Sequence, residues 1–300
     1  MPKRVKRDWK THNDQLVKRG ELLLDLDLEL GGRTGGDEQG QARQTLPIPG
    51  ESDGVSGLSA VFFRLPFRQE EGFVEALSKF VPELEVPDYS TICRRINSLQ
   101  PRFERNFREL GNDVVVAIDA SGIKVTNRGD WIREQWNRKP RRGYLKIHIA
   151  VDTKTKQILA MEVTNERTGD IKMFKPLVER ASGRTKVKLV LADSAYDSRD
   201  NFNFLEARGI EPGIRIRRGA SGKARGSRAR RRAAREFLED ERGWKRKVGY
   251  GRRWVVEGTF SNLKRFFGEF VMAQKFENMA KEMVLKAFCY NLLINLSAVR

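Results

Sequence analysis

Two aspartates come directly after apolar segments whose patterns predict buried strands. Asp119 follows residues 114–118, and Asp193 follows residues 189–192. If the two strands are parallel neighbours, about 5 Å apart, both carboxylates lie side by side and can share divalent metal ions, which neutralise their mutual repulsion. The alternative is that each aspartate only caps the turn after its strand. For the pair we favour the metal site, because an unpaired carboxylate at the end of a buried strand is costly.

A third carboxylate lies in a segment with helical spacing. It belongs to a row of four residues separated by three, four and seven positions: Tyr250, Arg253, Glu257 and Lys264. At about 100° per residue, this spacing places the row on one narrow stripe of a helix. Glu257 could then join the metal site while the two cations bind phosphate. A surface row of salt bridges has the same spacing, so the pattern by itself leaves both interpretations open.

Positive charge dominates the 300-residue chain, which has 58 Lys and Arg against 40 Asp and Glu, a formal net charge of +18. Residues 208–253 hold 17 of these cations and 5 of the anions. Within them, residues 214–232 contain nine cations, no carboxylate and several glycines, which predicts a flexible basic loop. Nucleic-acid phosphates are the favoured partner, because neutralising them releases counterions. A solvated charge run without a partner is the alternative.

Several classes of protein lose support from the composition. The two Cys and two His lie far apart and offer no zinc cluster, and neither a glycine-rich phosphate loop nor a Gly-x-Ser-x-Gly elbow occurs. This disfavours ATPases, kinases and hydrolases of those types. The most apolar stretch, residues 283–299, carries Lys286, Asn291 and Asn295, which argues against a membrane span. We therefore expect a cytoplasmic protein.

The order of the predicted elements indicates an α/β fold from residue 111 to residue 300. Three strands, at residues 114–119, 144–152 and 157–164, predict a meander, and helices then alternate with strands at residues 187–193 and 214–216. The apolar fourth strand suits a parallel neighbour. This order is expected of an RNase H-like mixed sheet with flanking helices. A basic insert at about residues 215–248 precedes two long helices.

The N-terminal region, residues 1–110, has mainly helical patterning after a linker at residues 31–57. Short helices are predicted at residues 58–63, 68–80 and 89–100, the last with Asp88 as its N-cap. Arg94 and Arg95 on that helix could contact DNA as part of a helix-turn-helix. A packing helix with solvated arginines fits the pattern equally well.

Three further residues are of types that could join the candidate site. Asp197 could replace Asp193, but its position in a turn before a helix favours a helix cap, and the same holds for Asp170. His148 lies on an edge-like strand, where a lone histidine is more often structural. We assign none of the three to the site.

The row Tyr250-x₂-Arg253-x₃-Glu257-x₆-Lys264 resembles the signature around the glutamate of insertion-sequence DDE transposases of bacteria and archaea. The contexts Ala117-Ile118-Asp119-Ala120-Ser121 and Leu191-Ala192-Asp193-Ser194-Ala195-Tyr196-Asp197 are similar to those of the family's two aspartates. Residues 65–69 and 86–91 resemble one subgroup, so the similarity covers nearly the whole chain. Two departures, His12 in place of a tyrosine and a long cationic insert, leave the three carboxylates untouched.

The resemblance implies a DNA transposase with an RNase H-like core, which cleaves transposon ends and transfers 3′-OH strands into target DNA. Three carboxylates would hold two Mg²⁺ or Mn²⁺ ions and carry the catalysis: Asp119, Asp193 and Glu257. Two groups of residues would contact the DNA: Tyr250, Arg253 and Lys264, and the helical pair Arg94 and Arg95.

The implied partners are double-stranded DNA, as terminal inverted repeats and as target, and a second copy of the chain in a synaptic homodimer. No membrane partner is implied, and the protein would be associated with the nucleoid. Two alternatives remain at this stage. One is a domesticated DNA-binding protein without catalysis, and the other is an RNase H-like endonuclease without strand transfer.

Overall fold

The structure, a computed structural model, describes residues 61, 63–80, 84–98, 110–125, 144–223, 225–273 and 275–296. The chain forms two compact units, one of Met1–Pro101 with Phe288–Arg300 and one of Arg102–Ala287. The predicted linker at residues 31–57 and most of the predicted helix at residues 58–63 lie outside the described residues.

Helices α1 (Phe67–Ser78) and α2 (Tyr89–Ser98) of the first unit pack against each other. Asp88 precedes α2, and its carboxylate accepts the backbone N–H groups of Ser90 at 2.8 Å and Thr91 at 2.9 Å. Donation from the Ser90 hydroxyl, and then from the Thr91 N–H and hydroxyl, holds the pKa of Asp88 well below its ordinary value. The predicted N-cap is confirmed.

The second unit is built on a mixed five-stranded sheet with helices on its faces. Its strands are β1 (Val114–Lys124), β2 (Tyr144–Asp152), β3 (Ile158–Asn165), β4 (Val187–Ala192) and β5 (Glu211–Ile214). Its helices are α3 (Asp170–Ser182), α4 (Arg199–Ala207), α5 (Arg228–Glu239), α6 (Glu241–Lys247), α7 (Trp254–Phe267) and α8 (Phe276–Leu296), the last of which continues into the first unit. Two 3₁₀ turns, Ser194–Tyr196 and Tyr250–Arg253, lie beside the site described below.

The strand order in the sheet is β3-β2-β1-β4-β5. Strands β1, β2 and β3 pair antiparallel as the predicted meander, while β4 pairs parallel with β1 and β5 parallel with β4. Parallel β4 is buried at four successive positions, which explains its continuous apolar sequence. The predicted RNase H-like mixed sheet with flanking helices is confirmed.

Strand β1 is longer than its sequence predicts. The apolar run stops before Asp119, but the strand continues to Lys124 because residues 120–124 stay paired with β2. On the other side, the parallel ladder with β4 ends where Ile118 pairs with Ala192. Asp119 therefore lies within β1, at the point where β1 loses one of its two neighbours.

Side chains of β1 and β2 alternate between two helix layers. Asp119 and Ser121 point to the face that contacts α7 and the turn before it. His148, which pairs with Ala120 in the sheet, points to the opposite face and contacts Asp170 of α3. The two faces of the sheet are thus covered by different helices, and Asp119 and His148 lie on opposite sides.

The basic insert contains more helix than expected. Residues 214–232 were predicted as a flexible loop, but α5 begins at Arg228, capped by the Ser227 hydroxyl, which accepts the Arg230 N–H at 3.1 Å. Alternating Ala and Arg residues hide an apolar stripe of Ala229, Ala233, Ala234 and Phe237, which is buried. The glycines that suggested a loop all precede Ser227.

Four helices rather than two follow the irregular part of the basic segment: α5, α6, α7 and α8. Among the helices that the structure describes, none is long and apolar enough to cross a membrane.

Candidate active site

The parallel pairing of β1 and β4 brings the two predicted aspartates together. Ile118 pairs with Ala192, so the next residues, Asp119 and Asp193, leave the ladder at neighbouring points. Burial raises the pKa of Asp119, and the charge of Asp193 adds to this rise, while the Ala120 N–H and the Arg253 guanidinium oppose it. The Asp193 carboxylate thus lies close enough to raise the pKa of Asp119.

Each aspartate also accepts a backbone N–H group of its own segment. Asp193 accepts the Ala195 N–H at 2.8 Å and begins the 3₁₀ turn Ser194–Tyr196, and Asp119 accepts the Ala120 N–H at 2.9 Å. The capping interpretation is therefore correct for Asp193 and wrong for Asp119, because β1 continues past Asp119 without a turn. Capping and metal binding are compatible, because a carboxylate has several lone pairs.

The third carboxylate is joined to the first by an arginine. The Arg253 guanidinium donates to Asp119 Oδ2 at 3.0 Å and makes a close contact with Glu257 on the next helical turn. Lys264, two turns further along α7, donates to the Ser121 hydroxyl at 2.9 Å. The predicted stripe is therefore placed along β1, with Arg253 beside Asp119 and Lys264 beside Ser121.

Arg253 is the last residue of the 3₁₀ turn before α7, so two members of the row lie outside the α-helix, and the other is Tyr250. Tyr250 begins this 3₁₀ turn, and Gly249 ahead of it has φ of 61°, a left-handed conformation that favours glycine. Its hydroxyl donates to the Ala192 carbonyl at 3.3 Å, and its ring lies 5.4 Å from that of Trp244. In this structure Tyr250 therefore contacts the end of β4, next to Asp193.

Asp197 is not a helix cap, contrary to the sequence interpretation. The hydroxyl of Ser198 caps α4 by accepting the Asn201 N–H, whereas the Asp197 side chain is fully buried and bound by Arg230 at 2.6 and 2.9 Å. Sequence reasoning missed this ion pair because its partners are 33 positions apart. The contact also leaves Asp193, rather than Asp197, as the carboxylate beside Asp119.

Asp170 is likewise not a cap. The N-cap of α3 is Gly169, and Asp170 in the first turn pairs with Lys146 at 2.6 Å and lies 3.5 Å from His148 Nδ1. His148 is completely buried and its Nε2 is 2.9 Å from the Thr164 hydroxyl. Burial lowers the pKa of His148 to about 4, although the Asp170 charge opposes this. His148 is therefore neutral at pH 7 and packs on the face opposite Asp119.

This buried histidine predicts a pH dependence of stability. Its pKa is about 4 in the folded chain and about 6.5 unfolded, so the unfolded state binds more protons between these values and stability falls as the pH drops through them. We expect a loss of about 2 to 3 kcal/mol between pH 6.5 and pH 4. Urea unfolding of His148→Gln should show a flatter profile over this window, and His12→Gln should keep the wild-type slope. Equal slopes in both variants would contradict the assignment.

The carboxylates suit a hard divalent cation in part. Asp119 and Asp193 supply neighbouring oxygen donors, which Mg²⁺ and Mn²⁺ prefer. Glu257 is turned to Arg253, and within the part of the chain that the structure describes no three His, Cys, Asp or Glu side chains converge as a ready metal site. The structure thus places two aspartates at neighbouring positions, while Glu257 is bound by Arg253.

Most of the second unit matches a known family. Residues 110–292 match a family model described as Transposase DDE domain, and residues 17–128 match a second model with the same description. The chain belongs to the transposase DDE domain family. It is accordingly a DNA transposase, as the row around Glu257 indicated.

Among solved structures, the transposase is similar to a piggyBac transposase synaptic complex with hairpin DNA, with 12% identity, a TM-score of 0.46, and coverage of 93% of this chain and 72% of that one. A Mos1 transposase paired-end complex with the left transposon end has 11% identity and a TM-score of 0.24, with coverage of 78% and 84%. A pre-cleavage Mos1 transpososome has 11% identity, a TM-score of 0.26 and coverage of 99% of both chains.

The N-terminal arginines of the transposase are only partly described. The Arg94 guanidinium lies against its own helix, donating to the Thr91 hydroxyl at 3.0 Å and to the Ser90 carbonyl at 3.4 Å. The Arg95 side chain lies outside the described residues. The DNA contacts of Arg94 and Arg95 therefore remain a prediction from the sequence.

One exposed residue beside the site was missed from the sequence. Trp254 lies between Arg253 and Glu257, and 61% of its surface is accessible to solvent. An exposed aromatic ring on a helix of this kind offers a stacking surface for a nucleotide base. The sequence did contain an indication of this residue. Trp254 is next to the row of Tyr250, Arg253, Glu257 and Lys264, and its position does not belong to the buried stripe of α7.

Proposed function

We propose that this transposase cleaves the ends of its transposon and joins the resulting 3′-OH strands to target DNA by two-metal-ion phosphoryl transfer, acting as a homodimer on paired ends. The observation that carries the proposal is the meeting of Asp119 and Asp193 at the end of the β1–β4 ladder, with Arg253 linking Asp119 to Glu257. Two carboxylates thus meet at the end of this ladder, and the third is linked to Asp119 through Arg253.

Asp119 and Asp193 would hold the metal ions, and Glu257 would complete the set of ligands after its separation from Arg253. Two Mg²⁺ or Mn²⁺ ions bound there would supply activation of the attacking water or 3′-hydroxyl and stabilisation of the leaving oxygen. The chain's own part is to hold the acids in place. β1 and β4 do so from the sheet, and the Ala195 and Ala120 N–H groups fix one oxygen of each aspartate.

Arg253 and Lys264 are placed to hold DNA phosphates beside the acids. Their cationic groups flank Asp119 along β1, contacting Asp119 Oδ2 and the Ser121 hydroxyl. A guanidinium can bind a phosphate in a bidentate manner, and an ammonium binds it as a point charge. Tyr250 lies nearby with its hydroxyl on the Ala192 carbonyl, and we propose that it supports the DNA contact from that position.

The basic segment, residues 214–232, would carry the DNA backbone towards this site. Four of its nine cations are engaged within the protein: Arg215 with Glu241, Arg217 with the 3₁₀ turn, Arg230 with Asp197 and Arg232 with Glu206. Five others are exposed: Arg218, Lys223, Arg225, Arg228 and Arg231. We propose these five as phosphate contacts.

Two of these cations give a direct test of DNA affinity. Arg228→Ala and Arg231→Ala should each weaken binding to duplexes of any sequence and lower the slope of log K against log salt by about 1, since one phosphate contact is lost. Lys186→Ala is the matched control, because Lys186 precedes β4 and Asp193 follows it, about 20 Å apart along the strand. Fluorescence anisotropy at several salt concentrations measures both quantities. An unchanged slope in both arginine variants would remove the segment from the DNA path.

The function itself is tested with the DNA that flanks the reading frame. Full-length protein, Mg²⁺, a linear duplex ending in any flanking inverted repeats, and a supercoiled target should yield cut ends and covalent joints between those ends and the target. Cut ends without joints would identify an endonuclease lacking strand transfer. Salt-sensitive DNA binding without cutting would identify a DNA-binding protein that has lost catalysis.

A further inference from the structure

We propose that the buried ion pair of Asp197 and Arg230 is a positioning device, which holds the turn beginning at Asp193 against the basic segment. The inference rests on the proposed function of Asp193 and adds two residues to it. Neither would touch DNA or a reacting atom. They would act through the position of Asp193.

The Asp197 carboxylate accepts three hydrogen bonds from the basic segment, two from the Arg230 guanidinium and one from the Arg217 N–H. Its side chain is 0% exposed, and that of Arg230 is 14% exposed. The Arg230 guanidinium donates its Nε to Oδ1 at 2.6 Å and a terminal nitrogen to Oδ2 at 2.9 Å, and the Arg217 N–H also donates to Oδ2, at 3.0 Å. A bidentate pair of this kind fixes the orientation of both partners.

The basic segment also donates hydrogen bonds to the backbone carbonyls of this turn. The Arg217 guanidinium donates to the Ser194 carbonyl at 2.9 Å and to the Ala195 carbonyl at 3.1 Å. The third carbonyl of the turn, that of Tyr196, accepts the Asn201 side-chain amide at 2.9 Å. Every carbonyl of the turn after Asp193 thus has a side-chain donor, and two of the three come from the basic segment.

The geometry of Asp193 depends on this turn. Its carboxylate is held by the Ala195 N–H, a group within the turn, so a shift of the turn moves the carboxylate relative to Asp119. β4 ends at Ala192 and provides no further ladder contact for Asp193. Past the end of β4, Arg217 and Arg230 therefore restrain the turn that positions the Asp193 carboxylate.

Arg230 differs from the neighbouring cations of the basic segment because its side chain is largely buried. Arg231 is next in sequence and has the same chemistry, but it is exposed, whereas Arg230 faces Asp197. Removing one partner of a buried ion pair leaves the other charge uncompensated, while removing both charges together preserves the shape of the site at lower cost. The chain thus offers a matched control and a variant that remains folded.

The test compares Arg230→Gln, the double variant Asp197→Asn/Arg230→Gln, and Arg231→Gln in the full-length protein. Amide hydrogen exchange is measured first. We expect the amides of residues 194–197 to exchange at least about tenfold faster in the first two variants, with those of β1 and α7 unchanged, and Arg231→Gln to match wild type. Unchanged exchange in the double variant would overturn the proposal, even if the single variant failed to fold.

Cleavage of the flanking-repeat duplex at saturating DNA is measured second. We expect the rate to fall at least about tenfold in the double variant while its DNA dissociation constant stays within about threefold of wild type. The control for this measurement is Lys186→Gln, at the far end of β4 from Asp193, which should keep both the wild-type rate and the wild-type DNA affinity. A wild-type saturated rate in the double variant would overturn the positioning role. If wild-type protein does not cut this duplex, the proposed function fails, and the exchange of residues 194–197 still decides whether the pair holds the turn.

Discussion

Asp119→Asn, Asp193→Asn and Glu257→Gln should each lower the rate of transposon-end cleavage in Mg²⁺ by about 10³-fold or more. Each change keeps the size of the side chain but removes a charged oxygen ligand for a hard cation, whose electrostatic contribution to phosphoryl transfer is worth several kcal/mol. Binding to the same duplex should stay near wild type, because the exposed cations of the basic segment are untouched. Single-turnover cleavage and anisotropy measure the two quantities.

Asp200→Asn is the matched control for these carboxylate changes. Asp200 is an aspartate of the same unit with a 75% exposed side chain, and its pairing with Lys175 lies on the surface, where such pairs contribute little. Its cleavage rate should equal that of wild type. Wild-type cleavage by any one of the three site variants would remove that residue from the catalytic set.

Arg253→Ala should raise the affinity for Mn²⁺ and lower the rate of cleavage. The Arg253 guanidinium contacts both Asp119 and Glu257, so it would compete with a metal ion for these carboxylates. We expect Mn²⁺ to bind the DNA-free variant roughly threefold to tenfold more tightly than wild type, as judged by calorimetry. Cleavage should nevertheless fall about 10²-fold, because the phosphate loses a bidentate partner.

Two control variants accompany Arg253→Ala. One removes a positive charge at another position, and the other keeps the charge at residue 253 but changes the geometry of the cationic group. Arg246→Ala removes the same charge from the exposed face of α6 and should leave Mn²⁺ affinity unchanged. Arg253→Lys should give intermediate cleavage, because an ammonium cannot span both carboxylates or bind phosphate in the bidentate manner. Weaker Mn²⁺ binding by Arg253→Ala would show that Arg253 supports the acids rather than competing for them.

Much of the second unit could be predicted from local patterns. The β-branched and apolar run at residues 114–118, the alternation in β2 and the continuous apolar β4 each carry a period or composition typical of their environment in the sheet. β2 was predicted at the bounds that the structure shows. These features depend on neighbouring residues, so a single sequence contains the signal.

The basic insert was less predictable, because its pattern mixes two signals. Glycines before Ser227 indicated a loop, and the high charge of the following residues concealed the small apolar stripe that α5 buries. Alanine contributes little to a hydrophobic pattern, yet it permits the close packing that Ala229, Ala233 and Ala234 achieve. The prediction of a loop at the start of α5 was therefore wrong because it gave the positive charge more weight than the spacing of the alanines.

The sequence by itself predicted three acids and their order, and it determined the meander, the parallel strand beside it and the excess of positive charge. Only the tertiary structure decided which charges are available. It paired Arg253 with Asp119 and Glu257, paired Arg230 with Asp197, and placed the Arg217 guanidinium on the carbonyls of the turn after Asp193. Of the other cations of the basic segment, five are exposed and are proposed to contact phosphate: Arg218, Lys223, Arg225, Arg228 and Arg231. The physical reason is that the partner of a charge is set by distance in space, and residues 33 or 134 positions apart come into contact only when the sheet has formed.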